Sequence, residues 1–140
     1  MKKNQAIEDG LREISFGTAV IAKSIGFNVQ CYSWYNEGDT HKKLYTGSLH
    51  NHNHPRDTVT ISAPAQSVLR EWLRINYSLW IEITGVSDVG LKVIVRKLIG
   101  NTFHVTTLGI ERHYDYPAAL EKGLLYACSA ILSHTTNPYT

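Results

Sequence analysis

Charge of one sign is the first thing this 140-residue sequence lacks: fourteen Lys and Arg stand against twelve Asp and Glu, a formal net charge of +2. So small an excess does not create the sequence-independent attraction for phosphate that marks a strongly basic nucleic-acid-binding chain. Cysteine is nearly absent too. Cys31 and Cys128 have no second cysteine close by, so neither a CxxC redox motif nor a local cysteine-zinc site can be assembled, and both read as reduced core residues. No stretch approaches the roughly 20 consecutive apolar residues of a membrane-spanning helix. Met1-Lys2-Lys3 leads into Asn4-Gln5-Ala6-Ile7-Glu8-Asp9, whose acids interrupt the apolar run a secretory signal requires. A cytoplasmic location and no membrane partner are the expectations. Missing as well are the local signatures of catalysis: a Ser or Cys nucleophile beside a His base, paired carboxylates, a phosphate-cradling glycine loop, a metal-binding helix pair. Glu37, Asp39 and His41 share a turn, as plain solvated residues do. The expectation is a non-enzymatic protein with no cofactor.

What is present is the material of a folded core. Apolar residues make up 43% and charged residues 19%, far from the low-hydrophobicity, high-charge composition of disordered chains. One α+β domain over residues 1–140 is expected, with 1–3 and 135–140 frayed. Ile7, Leu11, Ile14, Thr18, Ile21 and Ile25 recur at helical spacing over 4–25, and Gly26-Phe27 supplies a Schellman-type stop. Gly17 leaves two shorter helices, split near Phe16-Gly17, as the alternative. From Phe27 the period becomes two, with Phe27, Val29, Cys31, Ser33 and Tyr35 sharing one side of a strand. The turn Asn36-Glu37-Gly38-Asp39 and a return over His41 to Thr46 close a hairpin, and Gly47 to Asp57 reads as a loop before a short strand at 58–61. Ser62 as N-cap and Pro64 in the first turn open a second helix. Its core face is Ala65, Val68, Leu69, Trp72 and Leu73, with Gln66, Ser67, Arg70, Glu71 and Arg74 opposite. Strands at 77–84, 91–99 and 102–108 form an antiparallel meander, the last two joined by Gly100-Asn101. A final helix starts near Asp115, turns Leu120, Leu124, Ala127, Cys128 and Ile131 to the core, and ends before His134. The order helix, β-hairpin, helix, three-stranded antiparallel meander, helix implies a mainly antiparallel sheet with the helices on one side.

Three patches carry a resemblance. Ser62-Ala63-Pro64-Ala65-Gln66-Ser67 running into Leu69-Arg70-Glu71-Trp72-Leu73-Arg74, the lead Ala22-Lys23-Ser24-Ile25-Gly26-Phe27, and Tyr116-Pro117-Ala118-Ala119-Leu120-Glu121-Lys122-Gly123-Leu124-Leu125 resemble a group of short proteins found among phage-like and mobile-element genes of gut anaerobes. The resemblance spans about residues 19–132. It implies a shared fold and a genomic setting, and it assigns no activity and no functional residue.

Three constellations are candidates for function. His50, His52 and His54 alternate with Asn51 and Asn53, with His41 upstream. Alternating imidazoles in extended chain suit Zn, Ni or Cu where they converge, and a solvated loop has the same composition. On the meander, alternation groups Trp80, Glu82, Lys92, Ile94, Arg96, His104 and Thr106 on an outer face, opposite Leu79, Ile81, Ile83, Val93, Val95 and Val105. Trp80, Lys92, Arg96 and His104 together have the composition of a single-strand nucleic-acid platform, or of ordinary cross-strand pairs such as Glu82 with Arg96. The basic cluster that opens the last helix of a double-stranded-RNA-binding domain is missing, since the chain there reads Asp115-Tyr116-Pro117-Ala118-Ala119. Finally, the hairpin carries Tyr32, Trp34, Leu44 and Tyr45 on both of its faces, more aromatic surface than one helix covers. That fits a protein interface, with self-association the leading case, and burial beneath the N-terminal helix is the alternative for the same residues.

Overall fold

The computed structural model of the chain describes residues 11–86, 90–113 and 115–136. Helix α1 spans Phe16–Ser24, strands β1, β2 and β3 span Cys31–Asn36, Leu44–His50 and Thr60–Ser62, and helix α2 spans Gln66–Tyr77. Strands β4, β5 and β6 follow at Leu79–Val86, Gly90–Ile99 and Thr102–His113, and helix α3 closes the order at Tyr116–Thr136. The α+β class holds, but the single sheet does not: there are two three-stranded antiparallel sheets, ordered β2-β1-β3 and β4-β5-β6. The reason lies in β3. It has three residues, its ladder ends as Ala63 N–H donates to the Ser33 carbonyl at 2.9 Å, and the chain turns at once into α2. Helix α2 thus stands between β3 and β4 in the chain, and β4 pairs with β5 instead.

Of the long N-terminal helix, the part before position 11 lies outside the described residues. The part described starts at Phe16, because Ser15 leaves the helical conformation to cap it, its hydroxyl accepting from Thr18 N–H at 3.4 Å. Leu11 is exposed and Ile14 fully buried. The Schellman stop is present, with Phe27 N–H bonding the Ala22 carbonyl at 3.0 Å, Gly26 N–H bonding the Lys23 carbonyl at 3.1 Å, and Gly26 at φ 96°, a value glycine adopts without a Cβ penalty. Helix α2 is capped at Ala65, not at Ser62, and receives no side-chain cap; Ser62 is instead consumed by the β1–β3 ladder. The second helix also runs through Tyr77 and stops at Ser78 in the left-handed conformation, φ 53°, so β4 begins two residues later than the alternation implied. Within α2 Leu69, Trp72 and Leu73 are buried as expected, whereas Val68 is exposed and Gln66 fully buried. Helix α3 buries Leu120, Leu124, Ala127, Cys128 and Ile131 and continues two residues beyond His134, through 135 and 136; the other frayed ends, 1–3 and 137–140, lie outside the described residues.

One continuous cluster joins these elements. It runs from Ile14, Phe27, Tyr35 and Ile61 on the first-sheet side, through Leu69, Trp72 and Leu73, to Ile81, Val93 and Val95 beneath Leu120 and Leu124. Aromatic edges lock its corners: Phe27 meets Trp72 at 5.3 Å and Phe16 meets Tyr35 at 5.5 Å, geometries worth about 0.5–1.5 kcal/mol beyond area burial. A polar knot runs beside it. The Glu121 carboxylate of α3 accepts from Ser15 N–H at 3.1 Å, Ser15 Oγ at 2.8 Å, Thr18 Oγ1, and the Gln66 side-chain amide at 3.0 Å.

Two substitutions test this packing. A Cβ at Gly123 of α3 would lie 2.7 Å from Ile81 Cγ2 and 3.0 Å from Val93 Cγ1, so Gly123→Ala should destabilise by about 1–3 kcal/mol despite the roughly 1 kcal/mol helix-propensity gain. Glu121→Ala should cost about 2–4 kcal/mol, because it removes the shared acceptor of Ser15, Thr18 and one amide N–H of the fully buried Gln66. Denaturant unfolding reads both, and a midpoint unchanged from wild type would contradict either account.

Candidate functional site

The connection from β2 to β3 is where chemistry-bearing side chains collect. Two turns fold it, with His54 N–H on the Asn51 carbonyl at 3.3 Å and Asp57 N–H on the His54 carbonyl at 2.8 Å. Asn53 ties it down, donating to the Phe27 carbonyl at 3.0 Å and accepting from Ser62 N–H at 2.8 Å. Lys23 of α1 donates to the Asp57 and Thr60 carbonyls at 3.2 and 2.8 Å. Fixed in this way, the loop lays His52 on the ring of Trp34, centroids 4.7 Å apart and nearly parallel at 22°. Trp34 in turn stacks with Tyr45, its directly opposed neighbour across the hairpin, at 6.0 Å. Position 47 must be glycine for this, since a Cβ there would lie 2.9 Å from the Trp34 ring.

His52 is 7% exposed, and its Nε2 is buried with no hydrogen-bond partner. Burial, then the neighbouring His50, lowers its pKa below the ordinary imidazole value, against the opposing pull of Asp57 and a ring hydrogen bond to the Cys31 backbone. The ring is therefore neutral near pH 7 and presents a lone pair. His50 meets it edge-on at 5.0 Å. The third member is Asp57, whose Oδ1 accepts from Val59 N–H at 3.1 Å and Thr60 N–H at 2.9 Å, and whose Oδ2 accepts from the Thr60 hydroxyl. Burial acts to raise the Asp57 pKa, but the Thr60 and Val59 hydrogen bonds and the nearby Lys23 outweigh it and hold the group below the usual carboxylate value. One ligand atom from each of His50, His52 and Asp57 lies within 4.8 Å of the other two.

This corrects the sequence reading at one position. His54 is not one of the three converging ligands, its Nδ1 being occupied by Arg56 N–H at 3.1 Å although the residue borders the same cleft, and Asp57 takes the third place. His41 lies outside as well, in the turn ahead of β2, not on the strand. The loop assignment of 47–57 also changes, because β2 extends through His50: a bulge between Cys31 and Ser33 shifts the register so that Cys31 pairs with His50. Asp57 does not belong to the alternating histidine pattern. The Asp57-x-x-Thr60 spacing, an Asx-type turn that fixes a carboxylate, is the signal that points to it.

The hairpin candidates separate. Trp34 and Tyr45 are half-buried in the stack with His52, so the loop covers much of the face that looked bare, while Tyr32 is 59% exposed and Leu44 lies on the edge strand. On the meander, the register pairs Trp80 with Arg96, Thr84 with Lys92, Arg96 with Val105, and Lys97 with His104. Trp80, Lys92 and Arg96 thus share the outer face, but His104 and Thr106 do not. They belong to the inner face with Lys97 and Val95, where His104 borders a cleft closed by Tyr126, Ile131 and His134 of α3. Val105 lies outside and is 53% exposed. Glu82 reaches Arg96 diagonally, at 3.1 Å, rather than facing it, and Trp80 packs edge-on to Phe103 at 5.5 Å. Helix α3 lies under the sheet, and no described helix covers the outer face.

Among the described residues no helix is long and apolar enough to cross a membrane. Comparison with protein families, with characterised proteins and with solved structures finds no match.

Neither thiol is placed to act as a nucleophile. Burial, then Glu121, pushes the Cys128 thiol up to about 12, and Cys31 is buried with its Sγ donating to the Ser33 carbonyl at 3.2 Å. Native protein should therefore react slowly with an aromatic disulfide reagent, while denatured protein releases both thiols at once. A fast stoichiometric reaction under native conditions would place one of them at the surface.

Proposed function

We propose that this chain is a small non-enzymatic interaction protein that self-associates through the outer face of the meander, and that it serves as an accessory protein of a phage or mobile element. The genomic setting rests on the sequence resemblance alone. The observation that carries the interaction reading is the bare sheet face: Trp80, Ile94 and Leu98 are only half-buried, and Phe103 and Val105 are 50% and 53% exposed, in one patch. Apolar patches of this kind on a small protein mark interaction sites.

The favoured occupant is a second copy. The patch carries its own counter-charges, Glu82 beside Arg96, so a two-fold-related copy sets acid against base without a net field. The same Glu82 speaks against nucleic acid, because it pairs with Arg96 and, among the described side chains of that face, leaves Lys92 as the cation without an acid beside it. Size predicts the strength. Three strands about 5 Å apart and some eight residues long at about 3.3 Å each cover roughly 400 Å², half of the about 800 Å² per partner of a standard interface, so the dimer is weak and concentration-dependent.

Sedimentation velocity from micromolar to millimolar protein should show a monomer–dimer equilibrium that Phe103→Glu or Val105→Glu abolishes while thermal stability stays near wild type, since both side chains are exposed. Fluorescence anisotropy with single- and double-stranded probes at low salt runs alongside. Probe binding weakened by Trp80→Ala and Lys92→Ala moves the reading to nucleic acid. A monomer at every concentration, or a dimer indifferent to both glutamates, overturns the proposal.

A further inference from the structure

We propose that His50, His52 and Asp57 form a binding site for one divalent transition-metal ion of zinc's class. Three observations carry it. Ligand atoms from the three side chains already lie within 4.8 Å of one another, and the exposed His50 side chain is free to turn toward an ion with bonds of about 2.0–2.2 Å. Next, His52 is more than nine-tenths buried, and its Nε2 has no partner there. A buried, unpaired polar atom is costly, and a metal ion supplies the partner that the protein does not. Last, the ligands are held from behind. The His52 ring bonds the Cys31 backbone and stacks on Trp34, while Asp57 is fixed by Thr60 and Val59, the kind of outer support that orients metal ligands.

The donor set selects the class of ion. Two imidazole nitrogens and one carboxylate oxygen suit Zn, Co, Ni or Cu, whereas Mg and Ca take shells of oxygen alone. Three protein ligands leave a fourth position to solvent, and the shallow cleft beside them is bordered by His50, His54, Arg56, Asp57 and Thr58. All three ligands sit on the β2–β3 connection or at its start, so the ion would pin that loop to the first sheet. It lies on a different sheet from the proposed dimer face, and each reading can fail without the other.

The test uses tag-free full-length protein, stripped with a chelator and titrated with zinc chloride by calorimetry, with cobalt absorption as a second readout. One equivalent of zinc should bind and raise the thermal midpoint. Asp57→Asn and His50→Ala should each weaken binding by about tenfold or more, and His54→Ala by no more than about twofold. Circular dichroism confirms folding, and the exposed His50 keeps the test decisive if Asp57→Asn unfolds the loop. No zinc uptake by the wild type overturns the site. So does equal weakening by His54→Ala, which would mean diffuse chelation by the histidine tract, and calcium binding as tight as zinc overturns the assignment of class.

Discussion

Three helices meet at one carboxylate, and the fold depends on that meeting. Glu121 stands on α3, yet its acceptors are filled by Ser15 and Thr18 at the start of α1 and by Gln66 at the start of α2. The first turn of α1 contains no acid of its own, and the acid that complements its N-terminal partial charge comes from another helix. Gln66 is held twice, its amide also donating to the Pro117 carbonyl at 2.8 Å. Around this knot the segments flanking the two helices pair directly, Ile14 N–H with the Pro64 carbonyl and Gln66 N–H with the Arg12 carbonyl. Tyr35 then joins the first sheet to the knot through its hydroxyl on the Ile14 carbonyl at 2.7 Å. Its pKa is raised by burial, then by Glu121 and Glu13, so the ring stays a neutral donor.

The two sheets resolve their outer faces differently, and the candidate sites follow from that. The first sheet folds its own connection back over Trp34, so its aromatic surface is spent on His52 and Tyr45. The second is covered by α3 beneath and by no described helix above. A histidine is an unusual residue with which to close an aromatic stack, because its ring brings two nitrogens that must be accounted for. One is accounted for by the Cys31 backbone, and the orphaned Nε2 is what separates this loop from an ordinary solvated one.

Periodicity made much of the helical core legible. In α3 the spacing of Leu120, Leu124, Ala127, Cys128 and Ile131, and in α2 that of Leu69, Trp72 and Leu73, named buried residues, because apolar side chains at those intervals have one face to share. The helix stop at Gly26 was legible for a local reason, a backbone angle that glycine reaches cheaply. What remained hidden was polar and long-range. Gln66 and Glu121 are separated by 55 positions, and nothing local distinguishes a core amide from a solvated one, so helical spacing alone assigns Gln66 to the wet face of α2. Alternation assigns His104 to the wrong face because it fixes sides within a strand, while the Gly100-Asn101 turn fixes how β6 is phased against β5. The single-sheet expectation failed because strand pairing partners are not written in strand patterns.

The candidate metal loop inherits its order from the same core. Lys23, in the last turn of α1, holds the carbonyls of Asp57 and Thr60, and α1 is itself seated on α3 through the Glu121 knot. Asn53 fastens the middle of the loop to Phe27, a core residue that is 1% exposed. The Asp57 carboxylate and the His52 ring are thus positioned by contacts that exist whether or not an ion is present, and only the exposed His50 is left to move. Such a site spends little ordering entropy on capture, since most of it was spent in folding. In an unstructured histidine tract every ligand would have to be ordered at the moment of binding, and that difference separates a built site from a sequence that merely contains histidines.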